Sequence, residues 1–469
     1  MAVQYMPRIV IAAPKGRTGK TTFTMGLLAA ITGMGLKAQP FKKGPDFIDP
    51  SWMTKVTGRD SHNLDAVLMS AEAIRQSVAE HSQYADIAVV EGAMGLYDGL
   101  DIEGSGSTAQ IAKILQAPVL LVLDCTRMTR SAAAMVMGYQ HFDRDVKIAG
   151  VILNKVGSRR HERLMREAIT RYCGIPVLGS IPKDDTISIP DRHLGLIPAN
   201  EQDEFENTLK KLAQVITEKV DLPAIISLAQ KAESLDYQRP LGRMEMSTPT
   251  KAKVNIGVVR DRAFSFYYPE NLRKLENMGA HLVILDSLAD QSIGEVDGLY
   301  LGGGFPEMFG LQLEKNKHFR HSIFKAVNNG LPVYAECGGL MYLGRKIIFQ
   351  GDEFAMVGVL PFDVVMEKKS QGHGYTVMNV VQENGYFNLG DTIRGHEFHH
   401  SKLINIDESK IMYALSVQRG TGIEGRDGII YKNVFAAYNH IHAISTPQWA
   451  VNFVEQARQY CQRREKSII

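Results

Sequence analysis

The chain has 469 residues, too many for one ordinary hydrophobic core, so two domains are expected. Its 45% hydrophobic and 22% charged content is that of a globular enzyme, and a net charge of +2 excludes a nucleic-acid binder working through a concentrated basic face. The cysteines Cys125, Cys173, Cys337 and Cys461 lack C-x-x-C spacing, the first residues lack a signal-peptide layout, and no apolar stretch approaches the ~20 residues of a membrane span, so a reducing, cytoplasmic setting is expected.

Short β-branched runs alternate with amphipathic stretches through the first half, at 8–13, 87–93, 117–124, 147–155 and 176–182. Near-continuous apolar strands between helices predict a doubly wound parallel sheet covered on both faces, an α/β fold. The first run feeds Lys15-Gly16-Arg17-Thr18-Gly19-Lys20-Thr21, and a helical pattern begins at once. A phosphate loop usually reads G-x-x-x-x-G-K-[ST], and Pro14 stands at its first glycine. The flanking strand and helix still favour phosphate binding. Backbone N–H groups around Gly16, Gly19 and the helix start at Thr22 would hold phosphate oxygens, Lys20 would reach the β- and γ-phosphates, and Thr21 would ligate Mg²⁺. Lys15 marks the variant K-G-x-x-G-K-T loop, in which this second lysine also contacts phosphate.

Two acidic stretches follow. Residues 41–50 place Asp46 and Asp49 in a loop after a strand, and 89–99 place Glu91 at a strand end with Asp98 in the loop beyond. Acids at the carboxyl ends of parallel strands face the ligand crevice, and beside a phosphate loop Glu91 suits Mg²⁺. Asn154, near the end of the run 147–155, is a candidate reader of the adenine amino group. Prolines, charges and the lack of a sustained period mark 221–253 as a linker between domains at 1–220 and 254–469.

A second series of strands is expected at 254–260, 281–286, 297–304 and 331–339, then a β-rich insertion near 355–435 and a closing helix at 447–465. "YAECGGLMYLG" runs strand, Glu-Cys-Gly-Gly, helix. A cysteine at such a turn, Cys337, is read as a nucleophile whose pKa the helix start lowers. Gly302, Gly303 and Gly304 offer backbone donors for an oxyanion, and His440 and His442 come near the end of a late strand. His396, His399 and His400 lack a closed tetrahedral ligand set, which favours a substrate-binding or structural role over a metal site.

"KGRTGKTT", "FKKGPDFIDP", "EGAMGLYDG", "GSTAQIAK", "YLGGGFPE", "YAECGGLMYLG", "RGHEFHHS" and "AYNHIHA" occur in the order that resembles the cobyrinic acid a,c-diamide synthases, over nearly the whole chain. The resemblance implies a dethiobiotin-synthetase-like ATPase domain joined to a class I glutamine amidotransferase domain. It implies ATP and Mg²⁺ as cofactors and a tetrapyrrole carboxylate and glutamine as substrates; the oligomeric state stays open, a homodimer among the alternatives. ATP would phosphorylate the a and c acetates of a corrinoid, and ammonia from glutamine would displace the phosphate. Cys337 then resembles the thioester-forming nucleophile and His440 its base, while Asp46, Phe47, Ile48 and Asp98 fall on the substrate side of the ATPase site.

Two departures leave questions open. Class I amidotransferases carry a Glu two residues after the base, where this chain has His442, so the third partner is unassigned. Phe47 stands where the family commonly has Tyr, which keeps sirohydrochlorin, its nickel complex and siroheme beside cobyrinic acid as substrates. Cobyric acid synthase shares both domains but amidates other side chains. Partitioning-type switch ATPases share the loop but lack a second domain with an elbow cysteine.

Overall fold

A computed structural model describes residues 2–184, 187, 202–237 and 254–466. The chain divides into two compact units, Met1–Gly242 and Arg243–Ile469.

The first unit runs β1 (Ala2–Gln4), β2 (Arg8–Ala12), α1 (Lys20–Gly33), β3 (Ala38–Lys43), α2 (Ile48–Thr57), β4 (His62–Leu64), α3 (Ala71–His81), β5 (Ile87–Glu91) and α4 (Thr108–Ile114). It continues through β6 (Val119–Asp124), α5 (Ser131–Phe142), β7 (Ile148–Val156), α6 (Arg159–Cys173), β8 (Val177–Pro182), α7 (Gln202–Lys219), α8 (Leu222–Gln230) and β9 (Leu235–Tyr237). Seven parallel strands form one sheet in the order β4-β3-β5-β2-β6-β7-β8. The chain leaves central β2 toward β3 and later crosses to β6. The carboxyl ends of β2, β3 and β5 therefore open on a topological switch point, where such sheets bind ligands.

The expected linker differs from what is observed over its first part. Asp221 caps α8 by accepting from the Ala224 N–H (3.0 Å), and Pro223 lies in the first turn, where its missing donor costs nothing. Leu222, Ile225 and Ala229 are buried in the same core as Ile9, Ile11 and Val89. Strand β9 pairs antiparallel with β1, and the fully buried Arg8 guanidinium donates to the Glu233 carbonyl (2.6 Å). The first unit thus extends at least to Tyr237, and the rest of the expected linker, 238–253, lies outside the described residues.

The second unit contains β10 (Val254–Val259), α9 (Pro269–Asn277), β11 (Ala280–Leu285), β12 (Gly298–Leu301), α10 (Gly310–Lys315), α11 (Lys317–Asn328), β13 (Val333–Glu336) and α12 (Gly338–Leu343). Next come β14 (Lys346–Phe349), β15 (Asp352–Ala355), β16 (Asp363–Met366), β17 (Gly372–Val380), β18 (Thr392–His399) and β19 (Ser401–Ile404). The unit closes with β20 (Met412–Arg419), β21 (Arg426–Tyr431), β22 (Val434–Ala437), β23 (His440–Ile441) and α13 (Gln448–Lys466). A ten-stranded sheet has the order β11-β10-β12-β13-β22-β21-β20-β17-β18-β23. It is parallel from β11 to β22 and antiparallel beyond. The β-rich insertion therefore extends the main sheet, with β14, β15, β16 and β19 forming a separate four-stranded one. On α13, Trp449, Phe453 and Ala457 are buried with Ile256, Tyr300 and Tyr334. Among the described residues no helix is long and apolar enough to cross a membrane.

Candidate active site

In the first unit the loop after β2 turns through Arg17 (φ 58°) and Gly19 (φ 91°) before α1 begins. A Cβ on Gly19 would lie 2.3 Å from Asn154 Nδ2, so this position requires glycine twice over, by angle and by space. Asn154 Nδ2 donates to the Thr18 carbonyl (2.8 Å), so it braces the loop with the amide group expected at adenine. Lys20 is nearly buried and donates to the carbonyls of Met94 (2.6 Å) and Lys15 (3.3 Å). Burial, followed by the nearby Lys42, lowers its pKa to about 8, against the pull of Glu91, Asp98 and Asp49. Lys15 is exposed, while Gly16, Thr21 and Thr22 are half-buried.

Thr21 Oγ1 donates to Glu91 Oε1 (2.6 Å) and reaches Asp49 Oδ2 at 3.4 Å. Asp49, expected in a loop, sits in the first turn of α2 with Ile48, because Asp46 Oδ1 accepts the N–H groups of Ile48 (2.8 Å) and Asp49 (3.2 Å) and starts the helix there. Sequence reasoning missed Lys42. It pairs in register with Glu91 across β3 and β5, and its ammonium bonds Glu91 Oε1 (2.8 Å) and Asp49 and lies 3.7 Å from Asp46. Its signal was a lysine near the carboxyl end of a buried parallel strand.

Burial would lower the Lys42 pKa, but Asp49, Glu91 and Asp46 outweigh it and hold the ammonium well above its usual range. These three carboxylates surround the Lys42 ammonium. Burial raises the Glu91 carboxyl, Lys42 opposes it and Asp49 raises it further, to about 7. Glu91 Oε2 is buried with no hydrogen-bond partner. A hard oxygen set with surplus negative charge and an orphaned oxygen fits Mg²⁺. Asp98, expected beside substrate, accepts the Gly95 N–H (2.8 Å) and shapes its own loop. Phe47 is half-buried at the start of α2.

In the second unit Cys337 joins β13 to α12 with φ 48° and ψ −100°, a strained conformation for a side chain other than glycine. A Cβ on Gly339 would lie 2.4 Å from the Leu301 carbonyl oxygen, and one on Gly338 would lie 2.9 Å from Gly304 N. These glycines let the elbow sit against the 302–304 loop. Burial pushes the Cys337 thiol up to about 12, with Glu307 adding to the rise. The expected lowering is overturned: Cys337 is only 5% exposed, and desolvation outweighs the N–H of Gly338. Of the three glycines, Gly302 spends its N–H on the Tyr267 hydroxyl (2.7 Å), leaving Gly304 N beside the elbow.

Strands β13 and β22 run parallel, and Cys337 N donates to the Ala437 carbonyl (2.7 Å) just before His440. A Cβ on Gly303 would meet His440 Cε1 at 2.5 Å, so the glycine loop touches both the elbow and the imidazole. His440 Nδ1 is 3.5 Å from Glu336 Oε2, and its ring stacks on His396 at 5.0 Å. His442 Nε2 is directed instead to Glu270 Oε2 (3.6 Å). Burial, then the neighbouring His440, His442 and His373, holds the His396 pKa well below the usual histidine range, and its Nε2 meets the Tyr268 hydroxyl at 2.9 Å. His399 stacks on Tyr438 at 3.6 Å, with Nδ1 at 2.9 Å from the Ser401 carbonyl.

Known proteins share both halves. Residues 9–197 match the CobQ/CobB/MinD/ParA nucleotide binding domain, and residues 255–448 match the CobB/CobQ-like glutamine amidotransferase domain. Cobyrinate a,c-diamide synthase of Magnetococcus marinus is 42% identical over 448 residues, covering 95% of this chain and 96% of that protein. The protein of the same name from Archaeoglobus fulgidus is 42% identical over 454 residues, covering 96% and 98%. That from Methanosarcina barkeri is 41% identical over 483 residues, covering 98% and 97%.

Proposed function

The chain belongs to the cobyrinate a,c-diamide synthase family, and from that premise we propose how its residues share the work. It is a glutamine-hydrolysing ligase: it binds ATP in its first unit and amidates the a and c acetates of cobyrinate with nitrogen from glutamine. A carboxylate is a poor acyl donor because its oxygen cannot leave. The acetate oxygen therefore attacks the γ-phosphorus of ATP, ADP departs, and ammonia displaces phosphate from the resulting acyl phosphate.

In the first unit the loop Lys15–Thr22 receives the triphosphate, and Lys20 and Lys15 offset its charge. Thr21, Asp49 and Glu91 would hold Mg²⁺, which neutralises charge on the phosphoryl oxygens. Lys42 keeps Asp49 and Glu91 together at the carboxyl ends of β3 and β5. Asn154 fixes the loop that carries Gly19. Asp46, Phe47, Ile48 and Asp98 border the crevice, and Phe47 and Ile48 offer apolar surface to the edge of the macrocycle.

In the second unit His440 takes the Cys337 proton as sulfur adds to the glutamine amide carbon, then passes it to the departing ammonia. Water hydrolyses the thioester to glutamate. Gly304 and Gly338 supply N–H groups to the oxyanion. Reduced thiols fit a cytoplasmic enzyme. The observation that carries this reading is one chain holding both a phosphate loop beside Thr21, Asp49 and Glu91 and a cysteine elbow beside a buried histidine. A switch ATPase would have no use for the second.

The test offers the protein Mg-ATP and glutamine with cobyrinic acid, sirohydrochlorin, nickel-sirohydrochlorin and siroheme in separate reactions, followed by mass spectrometry. Cobyrinic acid should show two carboxyl-to-amide conversions with glutamate released in step. Preference for another tetrapyrrole would overturn the substrate, and absence of glutamate would overturn the reaction.

A further inference from the structure

A histidine that relays a proton between a thiol and a leaving amine needs its ring held, with the far nitrogen directed at an acceptor that stabilises the transient imidazolium. His442, two residues on and just past β23, turns to Glu270. The carboxylate beside His440 comes from the residue preceding the nucleophile. Glu336 Oε2 lies 3.5 Å from His440 Nδ1, and both residues are buried. Glu336 is fixed from several directions: the Tyr300 hydroxyl donates to Oε2 (3.1 Å), and the Tyr334 hydroxyl (3.3 Å) and the Ile441 N–H (3.2 Å) donate to Oε1. Ile441 adjoins the base, so one hydrogen bond ties the carboxylate to the strand that carries the imidazole.

We infer that Glu336 is the positioning residue of the glutaminase site, the carboxylate that orients His440 through Nδ1 and stabilises its imidazolium when Cys337 attacks glutamine. The inference rests on the glutaminase reading of the second unit. The 3.5 Å separation is an ion-pair distance, and catalytic contacts of this kind commonly shorten once substrate is bound. The proton moves from Cys337 to His440 Nε2 and on to the leaving nitrogen, and Glu336 neither gains nor loses one. Glutamine at 336 keeps a carbonyl oxygen to accept from the Tyr334 hydroxyl and the Ile441 N–H, and its amide nitrogen, in place of Oε2, can donate to the Tyr300 hydroxyl oxygen. A purely structural role therefore does not require the charge, whereas a charge-stabilising role does.

Titratable groups near His440 include His396 stacked from β18, His442 two residues on, and Tyr300 and Tyr334 on Glu336. Burial, with Glu336 adding to it, holds both phenols well above their usual range, so they stay donors. Glu336 is an anion in direct reach of Nδ1.

The test is Glu336→Gln in the full chain, read by glutamine hydrolysis and by amidation with free ammonia. Glutaminase kcat should fall about a hundredfold or more with KM for glutamine unchanged within about threefold, while ammonia-dependent amidation stays at the parent level. The acidic limb of the kcat/KM profile should move to lower pH, because an imidazolium without its anion loses its proton more readily. Glu336→Asp keeps the charge and should hold the limb in place. Parent-like kcat in Glu336→Gln, or equal losses in both variants with an unmoved limb, would overturn the inference. Glutaminase surviving in Cys337→Ala would instead overturn the reading beneath it.

Discussion

The Cys337 thiol starts protonated, since burial pushes it up to about 12, and becomes a nucleophile only as His440 removes its proton. Without glutamine, alkylation by iodoacetamide near pH 8 should be slower than for free cysteine by on the order of a thousandfold, and should keep climbing above pH 10. A rate that levels off near neutral pH would reveal a preformed thiolate and contradict this. At the other site the decisive residue is Lys42, the buried cation holding Asp49 and Glu91. Lys42→Met should cut ATP-dependent amidation about a hundredfold or more with glutamine or ammonia, leaving glutaminase intact; unimpaired amidation would show that the cluster assembles without it. A strand end pointed to Glu91, which the structure brings against Thr21, and motif spelling pointed to Thr21 and Cys337 as candidates, because loop and elbow geometry demand particular residues at fixed spacing. It concealed Lys42 and Glu336, whose meaning depends on register between strands distant in sequence, and it misjudged the Cys337 thiol because burial has no local spelling.

At the scale of elements, the nucleophile elbow depends on the close approach of α12 to β12. Gly339 has no room for a Cβ against the Leu301 carbonyl, so Gly339→Ala must push the elbow away from the 302–304 loop. A displacement near 1 Å should lower glutaminase about a hundredfold while ammonia-dependent amidation continues. Full glutaminase activity in this variant would mean that the elbow tolerates the shift. Many of the buried parallel strands were legible because they read as apolar runs, at 87–91, 119–124 and 333–336 among others. Helix α8 was not, because its proline reads as a breaker unless it is known to fall in a first turn. The short strands β1, β4 and β9, three residues each, have too little length for any periodicity.

For the whole molecule, the account requires two chemistries with separable residues: phosphoryl transfer at Thr21, Asp49 and Glu91, and thioester chemistry at Cys337 and His440. Order and combination of motifs carried this division in the sequence, since neither loop nor elbow alone specifies an amidating ligase. The most direct measurement is the mass spectrum of cobyrinic acid after incubation of Cys337→Ser with Mg-ATP, supplied in parallel with glutamine or with ammonium at alkaline pH. The account predicts no amide from glutamine and both amides from ammonia, at the rate of the parent protein with ammonia. Equal loss with both nitrogen sources, or amidation persisting with glutamine, would contradict it.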